Sequence, residues 1–285
     1  MINGNTELIA HIGYPTHTFK SPMIYNPYFE RTGINAVVVP MGCQAPAYPD
    51  FLRAVFQLSN IRGALITMPH KVTTVGLLDL ASPTVRIAGA CNAVRKTPDG
   101  RLQGDLFDGE GFVRGLRRKG FEPRGQRLLV VGTGGVGSAI AASLAATGPA
   151  CLQLHDINPA SAQGLAHRLR QHHPDMEVVV GPNDPADMDL VVNATPLGMN
   201  DGDPMPIDMD RLSPHTFVGE VVLKQHMTAF LQAAQSRGCA YQVGADMLFE
   251  QIPAYLEFFG LPSTTPEQLR QYAQLTPPTP ERIPA

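Results

Sequence analysis

Short apolar, β-branched runs alternate with helix-like segments from the start of the chain. The runs at 7–12, 35–40 and 63–68 read as strands, and 51–58 carries its apolar residues at helical spacing. This alternation predicts a parallel or mixed sheet with helical crossovers. The segments 92–95 and 101–103 flank Pro98-Asp99-Gly100, the composition of a hairpin turn, and 109–119 reads as a helix ended by Gly120. From Arg127 the alternation becomes regular, with strands at 128–131, 151–155, 177–180, 190–194 and 217–222 and helices at 135–146 and 160–171. That is the order of a doubly wound nucleotide-binding domain. A helix at 227–237, a short strand at 241–243 and helices at 246–259 and 266–275 follow, and the proline-rich stretch 276–280 cannot continue a helix. The expected fold is α/β, with an N-terminal α/β domain built on a mixed sheet (1–108, completed by 245–285) and a Rossmann-type doubly wound domain (109–244).

Composition narrows the functional classes. The 285 residues are 44 % hydrophobic and 16 % charged, enough for two buried cores. Twenty-two basic residues against 25 acidic ones give a net charge of −3, and the longest basic run, Arg117-Arg118-Lys119, lies on an expected helix, so nucleic acid and anionic membranes are excluded as partners. The N-terminus lacks the basic and apolar regions of a signal peptide, and no run approaches the roughly 18 apolar residues of a membrane span; a cytoplasmic enzyme is expected. Cys43, Cys91, Cys151 and Cys239 form no CxxC pair and the nine histidines no ligand pattern, so neither disulfides nor a metal site is expected.

The strongest chemical signal is Gly132-Thr133-Gly134-Gly135-Val136-Gly137, which follows a buried strand and opens a helix of small apolar residues. Gly132 permits the tight turn, Gly134 removes a side chain that would block a pyrophosphate, and Gly137 lets helix and strand approach. The helix N-terminus offers free N–H groups and the positive end of its dipole to phosphates. Asp156 ends the next strand, where a carboxylate accepts hydrogen bonds from ribose hydroxyls and repels a 2′-phosphate, which favours NAD over NADP. The alternative is that Asp156 only caps a turn before Pro159.

Two further segments carry candidate chemistry: Thr67-Met68-Pro69-His70-Lys71 after a strand, and Gly104-Asp105-Leu106-Phe107-Asp108-Gly109. With Lys20-Ser21-Pro22, Gly89-Ala90-Cys91-Asn92-Ala93, Asn193-Ala194-Thr195-Pro196-Leu197-Gly198-Met199 and Gln251, they make the chain resemble the shikimate dehydrogenase family, including its quinate/shikimate members, over nearly its whole length. The resemblance implies reversible hydride transfer between a nicotinamide and a ring carbon bearing a hydroxyl or ketone, on a small ring hydroxy acid. Lys71 and Asp108 match the family's catalytic pair. Asn92, Thr67 and Gln251 match substrate contacts, and Ser21 matches one of two hydroxyls that hold the substrate carboxylate. Ile157, Thr195, Pro196, Val221, Gly244 and Met247 join the glycine loop and Asp156 as the implied cofactor contacts, and a monomer or homodimer is expected.

The departures bear on the substrate. Phe19 stands where the first carboxylate-binding serine belongs, although Thr18 could substitute. Leu65 replaces an asparagine, His70 a common aromatic, Leu106-Phe107 an Asn-Thr pair and Leu223 a tyrosine, so a more apolar pocket is expected. Asp156 to Ser161 lacks both arginines of the family's NADP-binding segment. Two alternatives stay open: an idle NAD-binding metabolite sensor, and a dehydrogenase of a more apolar cyclic alcohol.

Overall fold

The computed structural model describes residues 2–223 and 227–275; the proline-rich stretch lies outside the described residues. Two six-stranded sheets carry the fold. The first contains β1 (Glu7–Gly13), β2 (Ala36–Gly42), β3 (Ile61–Ile66), β4 (Leu80–Ala81), β5 (Ala93–Lys96) and β6 (Leu102–Asp105), in the order β2-β1-β3-β5-β6-β4. It is mixed: β1 pairs in parallel with β2 and β3, whereas β5 runs antiparallel to β3 and β6. The second contains β7 (Arg127–Val131), β8 (Cys151–His155), β9 (Glu177–Val180), β10 (Leu190–Asn193), β11 (Phe217–Glu220) and β12 (Tyr241–Gln242), in the order β12-β11-β10-β7-β8-β9, all parallel. The order reverses at β7, and ligands of such sheets bind outside the carboxyl ends of the strands at that point.

The helices, in chain order, are α1 (Pro22–Thr32), α2 (Tyr48–Val55), α3 (Lys71–Val75), α4 (Pro83–Ala88), α5 (Asp108–Arg118), α6 (Gly135–Ala145), α7 (Pro159–His172), α8 (Ala229–Ser236), α9 (Gly244–Phe258) and α10 (Pro266–Tyr272). Both sheets are covered on both faces, which is why their strands read as nearly continuous apolar runs. In the first, Ala10, Ile12, Ala64 and Ile66 face Tyr48 and Leu52 of α2, while Ile9 and Leu65 face Ile24 and Phe29 of α1 together with Ile252 and Leu256 of α9. The C-terminal helices therefore complete the core of the N-terminal sheet. In the second, Leu128, Val130, Leu152 and Leu154 meet α6 and α7, and Leu129, Val131 and Val218 meet Phe230 and Leu231 of α8. Among the described residues no helix is long and apolar enough to cross a membrane.

Sequence pattern missed α1, α3 and α4. α1 begins at Pro22, a first-turn position that suits proline, but holds Pro27 inside it, which argues locally against a helix; burial of Ile24, Tyr25, Tyr28 and Phe29 outweighs it. α4 is six residues long, and its start is fixed by Ser82, whose hydroxyl accepts from the Val85 N–H at 3.2 Å.

The helix that joins the two halves is α5, and glycines set its depth. A Cβ at Gly109 would collide with the Ala139 carbonyl of α6, one at Gly111 would lie 2.6 Å from the Gln251 Cβ of α9, and one at Gly115 2.6 Å from the Gln242 side chain. Gly109 and Gly244, each at a crossover between the two halves, both sit at such close approaches, Gly244 against the Val222 carbonyl. Gly109→Ala is therefore expected to cost about 2 kcal/mol, a fall in Tm of roughly 4–8 °C. Gly164→Ala, in α7 where the nearest atom is the end of the Arg168 side chain at 3.5 Å, should leave Tm unchanged or raise it. Thermal unfolding of both variants checks this, and an unchanged Tm for Gly109→Ala would contradict the close packing of α5.

Candidate active site

β3 ends at Ile66, and the chain turns through Thr67 and His70 to start α3 at Lys71. The turn is pinned from below. The His70 ring stacks on Tyr48 with centroids 3.9 Å apart, its Nε2 lies 2.8 Å from the Cys43 carbonyl oxygen, and Thr74 Oγ1 donates to the His70 carbonyl at 2.8 Å. Across the cleft, β6 leads through buried Leu106 to Asp108, the first residue of α5. Asn92 fixes that turn, its Oδ1 accepting from the Phe107 N–H at 2.9 Å. The two turns bring Lys71 Nζ to 2.6 Å from Asp108 Oδ2, with side chains 23 % and 9 % exposed. Asp108 also sits in the first turn of α5, at the positive end of its dipole.

The pair opens onto a cavity of about 220 Å³. Thr67, Gln251, Ser21 and Thr18 line it, as expected, together with Phe19, Leu65 and Leu223. Asn92, expected as a substrate contact, is buried and not among the lining residues; its Oδ1 holds the Asp108 turn. Phe107 is a correction: it packs edge-on against Tyr255 and Phe258 (4.9 and 5.5 Å between centroids) and lines a different cavity. It adds to the core behind Asp108 and not to the apolar character of the pocket. His11, Tyr25 and Tyr255 line the cavity without having been singled out. The signal for His11 was available, as the one titratable side chain inside the apolar run Leu8-Ile9-Ala10-His11-Ile12. Burial, and then the charge of Lys71, hold its pKa down to about 4, so the imidazole is neutral near pH 7.

The expected cofactor residues gather at the carboxyl ends of the second sheet. Gly132 takes φ +96°, and a Cβ there would lie 2.9 Å from the Ala194 backbone; a Cβ on Gly137 would strike the Gly132 carbonyl. At Gly134 and Gly135 a Cβ would meet nothing within 4 Å, so the open space above the start of α6 suits the phosphates of a dinucleotide. Asp156 Oδ2 accepts from the Thr133 N–H at 2.6 Å and the Thr133 hydroxyl at 2.8 Å, and its Oδ1 from the Asn158 N–H at 2.8 Å. Burial raises its pKa, but these donors outweigh burial and hold the carboxyl below its ordinary value. Through the Asn158 N–H, Asp156 does cap the turn before Pro159, while the N-cap of α7 itself is Asn158, whose Oδ1 accepts from Ala160. Ile157 beside it is 97 % exposed. Thr195 Oγ1 donates to Asn193 Oδ1 at 2.6 Å, which fixes the turn after β10, with Pro196 next in the chain. Val221 follows β11 directly, and Gly244 and Met247 form the first turn of α9, where Met247 is buried against the second core.

The model of the shikimate dehydrogenase substrate binding domain matches residues 11–94. A shikimate dehydrogenase (NADP(+)) of Rubrobacter xylanophilus is 37 % identical over 254 residues, 88 % of this chain and 89 % of the relative. The chain belongs to the shikimate dehydrogenase family. Among solved structures, a shikimate 5-dehydrogenase from Listeria monocytogenes, in complex with shikimate and NAD, matches with a TM-score of 0.89 at 25 % identity, covering 95 % of this chain and 97 % of that one. A quinate dehydrogenase from Corynebacterium glutamicum in complex with NAD matches with a TM-score of 0.84 at 28 % identity, covering 94 % and 98 %. The substrate domain and Rossmann-type domain of the family correspond to the two sheets described above.

At the floor of the nucleotide side, family membership draws no attention to Glu220. It ends β11 fully buried, accepting from Thr228 Oγ1 at 2.9 Å, and so ties the two ends of the segment that follows β11. Burial raises its pKa to about 7, partly offset by the Thr228 and Asn193 donors. A carboxyl whose folded pKa lies above its unfolded value binds more protons when folded, so its contribution to stability falls as pH rises between about 4.5 and 7 and is flat above. Glu220→Gln should remove that slope and gain about 2–3 kcal/mol at pH 8 relative to pH 4.5. Denaturant titrations of both proteins at the two pH values test this, and parallel pH profiles would contradict it.

Proposed function

We propose that the chain is a nicotinamide-dependent oxidoreductase that moves a hydride reversibly to and from a hydroxyl-bearing carbon of a ring substrate of the shikimate and quinate type, with NAD as the preferred cofactor. The observation that carries this reading is the Lys71–Asp108 pair, 2.6 Å apart and facing a cavity lined by hydroxyl and amide groups. A bound nicotinamide supplies the hydride acceptor or donor. The residues of the chain do the rest. As the ring alcohol is oxidised its proton must leave; Lys71 Nζ receives it while passing one of its own to Asp108 Oδ2, and in reduction the transfer runs backward. The ammonium also stabilises negative charge developing on the ring oxygen. Thr67, Gln251 and Ser21, with Thr18 at the rim, orient a hydroxylated ring, since each group both donates and accepts.

The preference for NAD is supported by Asp156, whose carboxylate would repel a 2′-phosphate, and by the absence of arginine from 157–161. We read the substrate half as 1–108 with 245–285, and the cofactor half as 109–244, which agrees with α9 packing on the first sheet. Phe19 and Leu65 in the cavity wall favour a second reading, in which the ring carries fewer polar groups than shikimate.

Lys71→Ala should lower kcat at least about a hundredfold, the range expected for loss of a general acid/base, with Tm within a few degrees of wild type. Near-normal turnover would remove the pair from the mechanism. In a screen of shikimate, quinate and other cyclic alcohols, kcat/KM with NAD should exceed that with NADP at least tenfold; equal or better use of NADP would overturn the role of Asp156.

A further inference from the structure

The cavity holds more hydrogen-bonding capacity than its own residues use. Buried polar atoms rarely lack partners, yet His11 Nδ1, Tyr25 OH and Gln251 Oε1 in the cavity wall have none. His11 and Tyr25 are 7 % and 1 % exposed, so solvent does not satisfy them. Their chemistry is mixed: burial keeps Tyr25 protonated, a neutral imidazole presents one donor and one acceptor, and Gln251 Oε1 is an acceptor. A ring hydroxyl, which donates and accepts, suits each of these groups; a carboxylate, which only accepts, could take the Tyr25 and His11 donors but would leave Gln251 Oε1 unpaired with negative charge beside it.

The apolar wall beside these atoms points the same way. The Phe19 ring stacks on His11 with centroids 4.0 Å apart, so an uncharged aromatic pair forms part of the cavity wall. The buried charges, Lys71 and Asp108, neutralise one another. Lys20 contributes to the cavity only from an exposed position at its rim.

We propose that His11, Tyr25 and Gln251 determine substrate choice by receiving ring hydroxyls while Phe19 packs on an uncharged part of the ring, so that a neutral polyhydroxylated ring alcohol or ketone is preferred to its carboxylate analogue. This rests on the hydride-transfer reading of Lys71 and Asp108. His11 and Tyr25 act in binding, not in proton transfer, and the stack with Phe19 holds the imidazole in place.

The test compares kcat/KM, with NAD, for shikimate and quinate against their methyl esters and primary amides, the amide controlling for the bulk of the ester. Neutral compounds should be used at least tenfold better, and Phe19→Ser should reverse the order. His11→Phe, which keeps the stack, and Tyr25→Phe should each raise KM for the neutral substrate about tenfold with kcat within threefold. Equal or better use of the acids, or unchanged KM in both folded variants, overturns the inference while leaving the dehydrogenase reading intact. Turnover of neither acids nor neutral compounds would overturn both.

Discussion

The arrangement of the site depends on how deeply α5 can sink between its neighbours. Three glycines, at positions 109, 111 and 115, put its backbone against the α6 carbonyls, the α9 backbone and the Gln242 side chain. Side chains at those positions would push the helix outward, and Asp108, its first residue, would move with it. A carboxylate 2.6 Å from an ammonium tolerates little displacement. The chemistry of the cleft is thus set by a packing distance on the far side of the helix, and α5 serves as the spacer that fixes the two halves of the molecule relative to one another.

The nucleotide half was legible because parallel strands buried on both faces leave unbroken apolar runs. The runs beginning at 128 and 190 fall on β7 and β10, and the glycine loop falls between β7 and α6 as its spacing requires. The first half was less legible. Pro27, inside the helix, hides α1, whose stability comes from contacts with β1 and with α9 far along the chain. Lys71 and Asp108 lie 37 residues apart, and nothing in their local spacing announces that they meet; only the family resemblance paired them. Phe107 shows the reverse limit. Its position beside Asp108 suggested a pocket residue, but the chain direction at a helix start turns it into the aromatic cluster of Tyr255 and Phe258.

The distribution of unmatched polar atoms separates the two ends of the cleft. At the nucleotide end Asp156 is paired with Thr133 and Asn158, Thr195 with Asn193, and Glu220 Oε2 with Thr228, which leaves Glu220 Oε1 unmet there. At the substrate end, His11, Tyr25 and Gln251 keep free valences. Leaving such groups unmet costs folding free energy, and that cost is relieved by a ligand whose hydroxyls fit them. The substrate end is thus the less settled part of the free protein.

The two hydrogen bonds that Thr133 donates to Asp156 have an evolutionary consequence. The carboxylate that would discriminate between nucleotides is also the clamp that holds the glycine turn to the end of the neighbouring strand. A lineage that exchanged Asp156 for a residue admitting a 2′-phosphate would loosen the phosphate cradle by the same substitution. If Asp156 sets the cofactor preference as proposed, that preference is epistatic with loop order, and a change of it would have to pass through compensating substitutions in the turn before it became useful.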